Sequence, residues 1–343
     1  MESISERRLR LAVLARQGLL ARSEDPVPVV LSRTAGLQSQ YAPSPYIGLW
    51  SRIEGFRLDD LTAALESRTA VQGTMVRGTL HVVAAEDYWP INLAVREARR
   101  AWCLGSRRSL RNDFLVAAAT RIRFELAEND GVLPHRRLVA AVGKELAAYV
   151  GLWIDLVRVP PSGTWGRRQA NLYAAATDWV GPEPEMSPGD ARDHLVRHYL
   201  TGFGPASYSE VAAFCSMNVG GVRTAVDRVA TRWFVAEDGT PLFDVDGLPL
   251  PDDSEPPPRF LGTWEALLLA HARRSQILAE VDRRRIFRTT LPQSLPTFLV
   301  DGQVAGTWKY VDGQVVLDEW RPVPERWRAA LATEVEHPIE LHR

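Results

Sequence analysis

Apolar and polar positions along the chain fall into three similar rounds. The opening stretch SISERRLRLAVLARQGLL sets Leu9, Val13, Leu14 and Leu19 near helical spacing, with Ser3 or Ser5 as a cap. After SEDPV a second helical stretch runs toward Gln38 and Gln40, and YIGLWSRI and LDDLTAALES continue in helical character. Residues 70–84, AVQGTMVRGTLHVVA, then alternate β-branched positions around Gly73 and Gly78, which predicts a two-stranded hairpin. The order returns with helical candidates at 113–128, 134–147 and 151–158, followed by the turn-rich strand pair VRVPPSGTWGRRQANLYAAA. It returns again in DARDHLVRHYL, SYSEVAAFC and GVRTAVDRVA, closed by a hairpin around Asp238 and Gly239.

Helices closed by a short hairpin are the order of a winged helix. The expected fold is therefore mainly α with short β-hairpins, in tandem units over residues 1–112, 113–185 and 186–343. The proline-rich DGLPLPDDSEPPP (246–258) is a linker. Beyond it lie a helical TWEALLLAHARRSQIL, a three-stranded meander turning at Asp301-Gly302 and Asp312-Gly313, and a closing helix in VPERWRAALATEVEH.

Composition narrows the classes. A chain of 343 residues, 45% hydrophobic and 24% charged, is long enough for two or three globular units. It has no apolar run of about 18 residues, and its charged N-terminus is unlike a secretory signal, so a cytoplasmic protein without a membrane span is expected. Cys103 and Cys215 are too few for a disulfide scaffold and read as buried apolar residues. Seven histidines lack HExxH or HxH spacing, so no metal and no cofactor is expected.

A net charge of -1 does not announce a nucleic-acid partner, but charge is concentrated locally. REARRAWCLGSRRSLR holds Arg96, Arg99, Arg100, Arg107, Arg108 and Arg111 against Glu97. It reads either as a solvated helix face or as a phosphate-binding patch. In GLQSQYAPSP, Gln38 and Gln40 are by themselves two polar residues on the surface.

GLQSQ (36–40), VRGTLHVV (76–83), GFGPAS (202–207), FLGTWEALLLAHARR (260–274) and TFLVDGQVAGTW (297–308) together resemble the winged-helix, AlkZ-like family of bacterial DNA glycosylases. The resemblance spans nearly the whole chain. It implies a C-shaped protein of tandem winged helices whose concave face holds duplex DNA, with a catalytic pair of glutamines separated by one residue, usually aliphatic. Gln38 and Gln40 match the pair, while Ser39 departs from the aliphatic middle. A related branch carries Asp at the second glutamine, and this chain does not.

Two amides suffice only for a special substrate. An N7-alkylated purine already bears positive charge, so it departs neutral and needs no general acid. The site must then position water and offer partial negative charge to the sugar cation, which carboxamide oxygens can do. The expected activity is a monofunctional DNA glycosylase acting on bulky N7-alkylpurine adducts or crosslinks in double-stranded DNA, in a setting of self-resistance to a genotoxin. Water would be the nucleophile, in keeping with a chain whose only lysines are Lys144 and Lys309, and a monomer is expected.

For both amides to share a face the segment must be extended, and Pro43 and Pro45 favour a helix that ends near Gly36. His81 and Arg77 stand either as cleft or phosphate contacts or as structural residues. Trp165, Arg167 and Arg168 form either a second wing on DNA or a surface loop. The rival functions are a winged-helix regulator without enzymatic activity and a scaffold for protein partners.

Overall fold

The computed structural model describes residues 2–106, 109–169, 171–269, 274–287 and 294–342. A short strand β1 (Glu2–Ile4) leads into helix α1 (Glu6–Arg16), which begins where the Ser5 hydroxyl accepts the Arg8 amide hydrogen at 3.2 Å. Helix α2 (Val27–Arg33), strand β2 (Leu37–Gln38), and helices α3 (Pro43–Trp50) and α4 (Leu58–Glu66) follow. Then come the hairpin of β3 (Ala70–Thr74) and β4 (Leu80–Ala84) and the long helix α5 (Ala85–Ser106). Pro43 and Pro45 do not break a helix near the glutamines. They sit in the first turn of α3, where a missing N–H costs nothing.

The second round runs through α6 (Asn112–Ala127), β5 (Leu133–Pro134), α7 (His135–Val142), α8 (Lys144–Ala147), α9 (Gly151–Ile154), β6 (Leu156–Arg158), β7 (Leu172–Ala175) and α10 (Ala176–Trp179). The single helix expected over 134–147 is divided at Gly143, whose φ of +81° no helix accommodates.

The first two hairpins do not stand apart. Their strands join in one six-stranded sheet of order β2-β4-β3-β6-β7-β5, seamed where Gln72 faces Arg158 and Gly73 faces Val157. Fold content is accordingly mixed helix and sheet, with the expected short hairpins present but joined into a common sheet. Side-chain alternation had shown each hairpin, but nothing local encodes an antiparallel pairing between residues more than eighty positions apart.

The third round consists of α11 (Pro188–Phe203), α12 (Tyr208–Cys215), α13 (Val219–Val229) and the hairpin β8 (Arg232–Ala236)–β9 (Pro241–Asp244), with Gly239 at φ +83° in its turn. β1 adds to β8 in parallel, pairing Glu2 with Phe234. Arg16, fully buried, then clamps Asp244 with two hydrogen bonds of 2.9 and 2.7 Å. This bidentate pair ties the start of the chain to the third hairpin.

The C-terminal meander forms as expected from β11 (Thr297–Val300), β12 (Gln303–Val311) and β13 (Gln314–Glu319), with β10 (Arg259–Leu261) as a fourth, unforeseen edge strand. Asp301-Gly302 and Asp312-Gly313 each adopt two consecutive positive φ angles, the twist that two-residue hairpin turns require. The helix expected over 263–278 is realised only at Ala266–Leu269, with a 3-10 turn at Arg274–Gln276, and residues 270–273 lie outside the described part. The helix Glu325–His342 closes the chain.

Three apolar clusters carry this arrangement. One packs Val71, Val83 and Tyr88 against Leu195, Tyr199 and Phe214, joining the first round to the third. A second sets Tyr46 and Trp50 of α3 against Phe260, Trp308 and Trp327 of the C-terminal part. A third fills the second round around Leu115, Ile122 and Trp153. No described helix is long and apolar enough to cross a membrane.

Candidate active site at the glutamine pair

The glutamine segment owes its shape to the end of α2. Ala35 and Gly36 both take left-handed angles (φ 61° and 75°), and the Gly36 amide bonds back to the Leu31 carbonyl at 2.9 Å, so the chain leaves the helix fully reversed. Glycine is needed at 36 for a second reason. A Cβ there would stand 2.9 Å from Val83 Cγ1 and 3.1 Å from the Val82 carbonyl oxygen.

β2 then pairs antiparallel with β4, Leu37 opposite Val82 and Gln38 opposite His81, and the Ser39 amide donates to the Leu80 carbonyl at 2.8 Å. The strand ends at Gln38, and Gln40 lies in the bend that follows. Gln38 is buried, Gln40 exposed. Ser39 is 1% exposed, and its hydroxyl has no hydrogen-bond partner. The pocket at 39 thus suits an apolar side chain better than the one it holds.

Each amide is oriented by a donor. Gln40 Oε1 accepts from the Leu80 backbone N–H at 3.3 Å, and Gln38 Oε1 accepts from Arg77 Nη2 at 3.5 Å. The same Arg77 nitrogen lies 3.2 Å from His81 Nε2. His81 Nδ1, 3.0 Å from the Thr79 carbonyl, must carry the proton, which leaves Nε2 as the acceptor. Burial and the Arg77 charge push the imidazole down to about 3, so the ring is neutral. Burial likewise lowers Arg77 to about 10.

Arg77 is held from the third round. Its backbone N–H donates to Ser216 Oγ at 3.1 Å and its guanidinium lies 4.6 Å from the Phe214 ring centre. Neither Ser216 nor Phe214 was singled out in the sequence; both come from a segment some 140 residues away. Of the readings left open for His81 and Arg77, the geometry supports a positioning role: a buried neutral ring offers a phosphate no charge, and the guanidinium already serves Gln38 and His81.

The loop 161–169 comes to the same neighbourhood. Arg168 Nη1 donates to the Tyr41 hydroxyl at 3.3 Å, next in sequence to Gln40, and its guanidinium lies 4.9 Å from the Trp165 ring centre. Trp165 meets Tyr46 edge-on at 5.7 Å. Arg167 is exposed, and its carbonyl closes the turn with the Gly163 N–H at 3.3 Å. The loop is anchored by Gln72, a buried amide on β3 missed in the sequence, whose Nε2 donates to the Gly163 carbonyl at 3.0 Å. Only the register of β3 against β6 reveals it.

In the basic run over 96–111, the described Arg96, Arg99 and Arg100 are spent on internal contacts. Arg99 is buried and donates to the Thr74 carbonyl and, at 2.6 Å, to Asn92 Oδ1. Arg100 donates to the Leu152 carbonyl at 2.9 Å. Arg96 pairs with Asp155 and Glu183 at 3.0 and 2.7 Å. In this geometry Arg99 and Arg100 fasten α5 to the hairpin and to the second round. Arg107 and Arg108 lie outside the described residues.

A cavity of about 610 Å³ around Arg22, Trp50, Glu54, Arg57 and His337 contains none of these residues. A second, of about 370 Å³, is lined by Asp87, His194 and His198 among others. His194 Nε2 lies 3.0 Å and His198 Nδ1 3.9 Å from Asp87 Oδ1. This trio also escaped the histidine-spacing reading. HLVRH puts two rings four residues apart on a helix, but the carboxylate comes from 107 positions earlier.

No curated protein sequence matches the chain. Among solved structures, the Streptomyces sahachiroi DNA glycosylase AlkZ superposes with a TM-score of 0.78 at 19% identity, covering 99% of this chain and 97% of that one. The sequence also matches the family described as "DNA glycosylase AlkZ-like" over residues 31–338, a span that takes in β2, the six-stranded sheet, the third round and the C-terminal sheet. This protein belongs to the AlkZ-like DNA glycosylase family and is a DNA glycosylase.

Proposed function

We propose that Gln38 and Gln40 are the catalytic pair of a monofunctional glycosylase that hydrolyses the N-glycosidic bond of N7-alkylated purines in duplex DNA. The observation that supports this reading is that both amide oxygens are engaged by donors of the hairpin beside β2, Gln38 Oε1 by Arg77 and Gln40 Oε1 by the Leu80 N–H. An amide oxygen with one lone pair held by a protein N–H keeps a second for a water or for the cationic sugar. With Arg77 on one lone pair of Gln38 Oε1, the other can accept a hydrogen from the attacking water, while Gln40, exposed, meets substrate first.

Among the described residues that contact the pair, none supplies strong acid. His81 is neutral with its one proton committed to Thr79, and the amides do not titrate. Catalysis here rests on preorganised dipoles, which serves a leaving group that is already a cation. The finer reading rests on the family resemblance: bulky N7-alkylpurine adducts or crosslinks, in a self-resistance role, bound by a monomer in a groove formed by winged-helix units. Trp165, Arg167 and Arg168 serve as the wing on the DNA backbone beside the pair.

Duplex DNA carrying N7-alkylguanine, incubated with the protein and heated in alkali to cleave abasic sites, tests the reading. Gln38→Ala and Gln40→Ala should abolish cleavage while duplex binding persists. Full cleavage by both variants overturns it.

A further inference from the structure

We propose that Asp87, His194 and His198 form a binding site for a divalent transition-metal ion, with Zn²⁺ the best chemical fit, which clips α11 to the start of α5. The site is independent of the glutamine pair and of the reaction assigned to it.

The placement begins with helix periodicity. His194 and His198 are separated by four residues on α11, so both rings project from one face, with centroids 5.8 Å apart and planes 20° from parallel. Asp87 sits in the first turn of α5, 4% exposed at its side chain, and faces that pair. One ligand atom from each residue can be chosen so that all three lie within 4.8 Å of one another. Tetrahedral bonds of about 2.0–2.1 Å to zinc require ligand atoms roughly 3.4 Å apart. The separations of 3.0 and 3.9 Å from Asp87 Oδ1 bracket that spacing.

His198 carries the second, independent observation. Its side chain is 5% exposed, and Nδ1, the ring nitrogen facing Asp87, stands 3.9 Å from Oδ1, beyond hydrogen-bond reach and within the span an intervening ion bridges.

The donor set and its surroundings choose the class of ion. Two imidazoles and one carboxylate suit zinc and its neighbours, whereas calcium and magnesium prefer all-oxygen shells. The same cavity is lined by Glu86 and by Arg33 and Arg197, so the formal charges of Asp87 and Glu86 are matched before any ion arrives. Arg33 is itself held by Asp25 at 2.9 Å. Binding must then come from ligand bonds rather than from an acidic field, which again favours a transition metal. His194 is 34% exposed at the cavity mouth and gives an entry path, with water available to complete the coordination.

The test uses the full chain, stripped with a chelator and dialysed, then titrated with Zn²⁺ by calorimetry and with Co²⁺ by visible d–d absorption. The expected result is one equivalent per chain, a Zn²⁺-dependent rise in melting temperature, and affinity reduced more than about tenfold in both His194→Ala and Asp87→Asn. His135→Ala, at an exposed histidine elsewhere, should bind like the unaltered chain. His194 is half-exposed, so its variant is expected to fold, and circular dichroism checks this. Absence of a stoichiometric site in the unaltered chain, or equal affinity in folded His194→Ala and Asp87→Asn, overturns the proposal.

Discussion

Gly36→Ala probes the link between backbone geometry and the glutamine pair. The residue sits at φ +75°, where an L side chain costs about 1–2 kcal/mol. Alanine's methyl would also press on Val83 Cγ1 at 2.9 Å and on the Val82 carbonyl at 3.1 Å, both in the strand that pairs with Gln38. Overpacking of this kind adds about 1–3 kcal/mol, for a total loss of roughly 2–5 kcal/mol. Gly55→Ala is the control: φ is +66° but nothing lies within 4 Å of the added Cβ. It should cost only the backbone part, about 1–2 kcal/mol. The entropy gained by removing a glycine from the unfolded chain is common to both and cancels. Urea unfolding followed by circular dichroism reads the difference. The clash is relieved by moving β2 against β4, which shifts the Gln38 amide. Single-turnover base release should therefore fall by about ten- to a hundredfold in Gly36→Ala, with DNA binding retained, since a misplacement of about 1 Å is worth up to that much. Equal stability losses in the two variants, or full activity in Gly36→Ala, would refute the reasoning.

Other positions give sharper single readings. Ser39→Ala removes a buried hydroxyl without a partner and should stabilise the chain by about 1 kcal/mol in urea unfolding, leaving base release unchanged. His81 titrates near 3 when folded against about 6.5 unfolded, so between those values the unfolded chain holds the extra proton. Its contribution is complete above about pH 6.5 and is lost as pH falls toward 3; from pH 7 to 5, His81→Gln should lose about 2 kcal/mol less stability than the unaltered chain. Arg167→Ala and Arg168→Ala should each lower the slope of log affinity for duplex DNA against log salt by about one, and an unchanged slope removes them from the interface.

What could be read without the fold was local. The hairpins at 70–84 and at Asp238-Gly239, and the Asp-Gly turns of the meander, are written in alternation and in residues that tolerate positive φ. So was the break before the glutamines, although Ala35-Gly36 rather than the prolines produces it. The shared six-stranded sheet, the parallel pairing of β1 with β8 and the fourth strand β10 depend on partners far along the chain. The same holds for the site. Gln38 and Gln40 were visible through family likeness, whereas the Arg77 contacts from Ser216 and Phe214, the anchor Gln72 and the meeting of Asp87 with HLVRH are tertiary facts. Arg99 and Arg100 read as charge in the sequence, which does not show the carbonyls they meet.

The central claim is that neutral amides suffice because the leaving base brings its own charge. Its most direct test compares single-turnover release of N7-alkylguanine with release of unmodified guanine and of a neutral guanine adduct of equal bulk on the exocyclic amine, across pH 6 to 9. The account predicts release of the cationic base alone, at a rate flat with pH because no essential group titrates there, and lowered by about 10²–10³ in Gln40→Ala. Comparable release of the neutral adduct, or a bell-shaped pH profile, would contradict it by revealing a general acid that the glutamine pair does not contain.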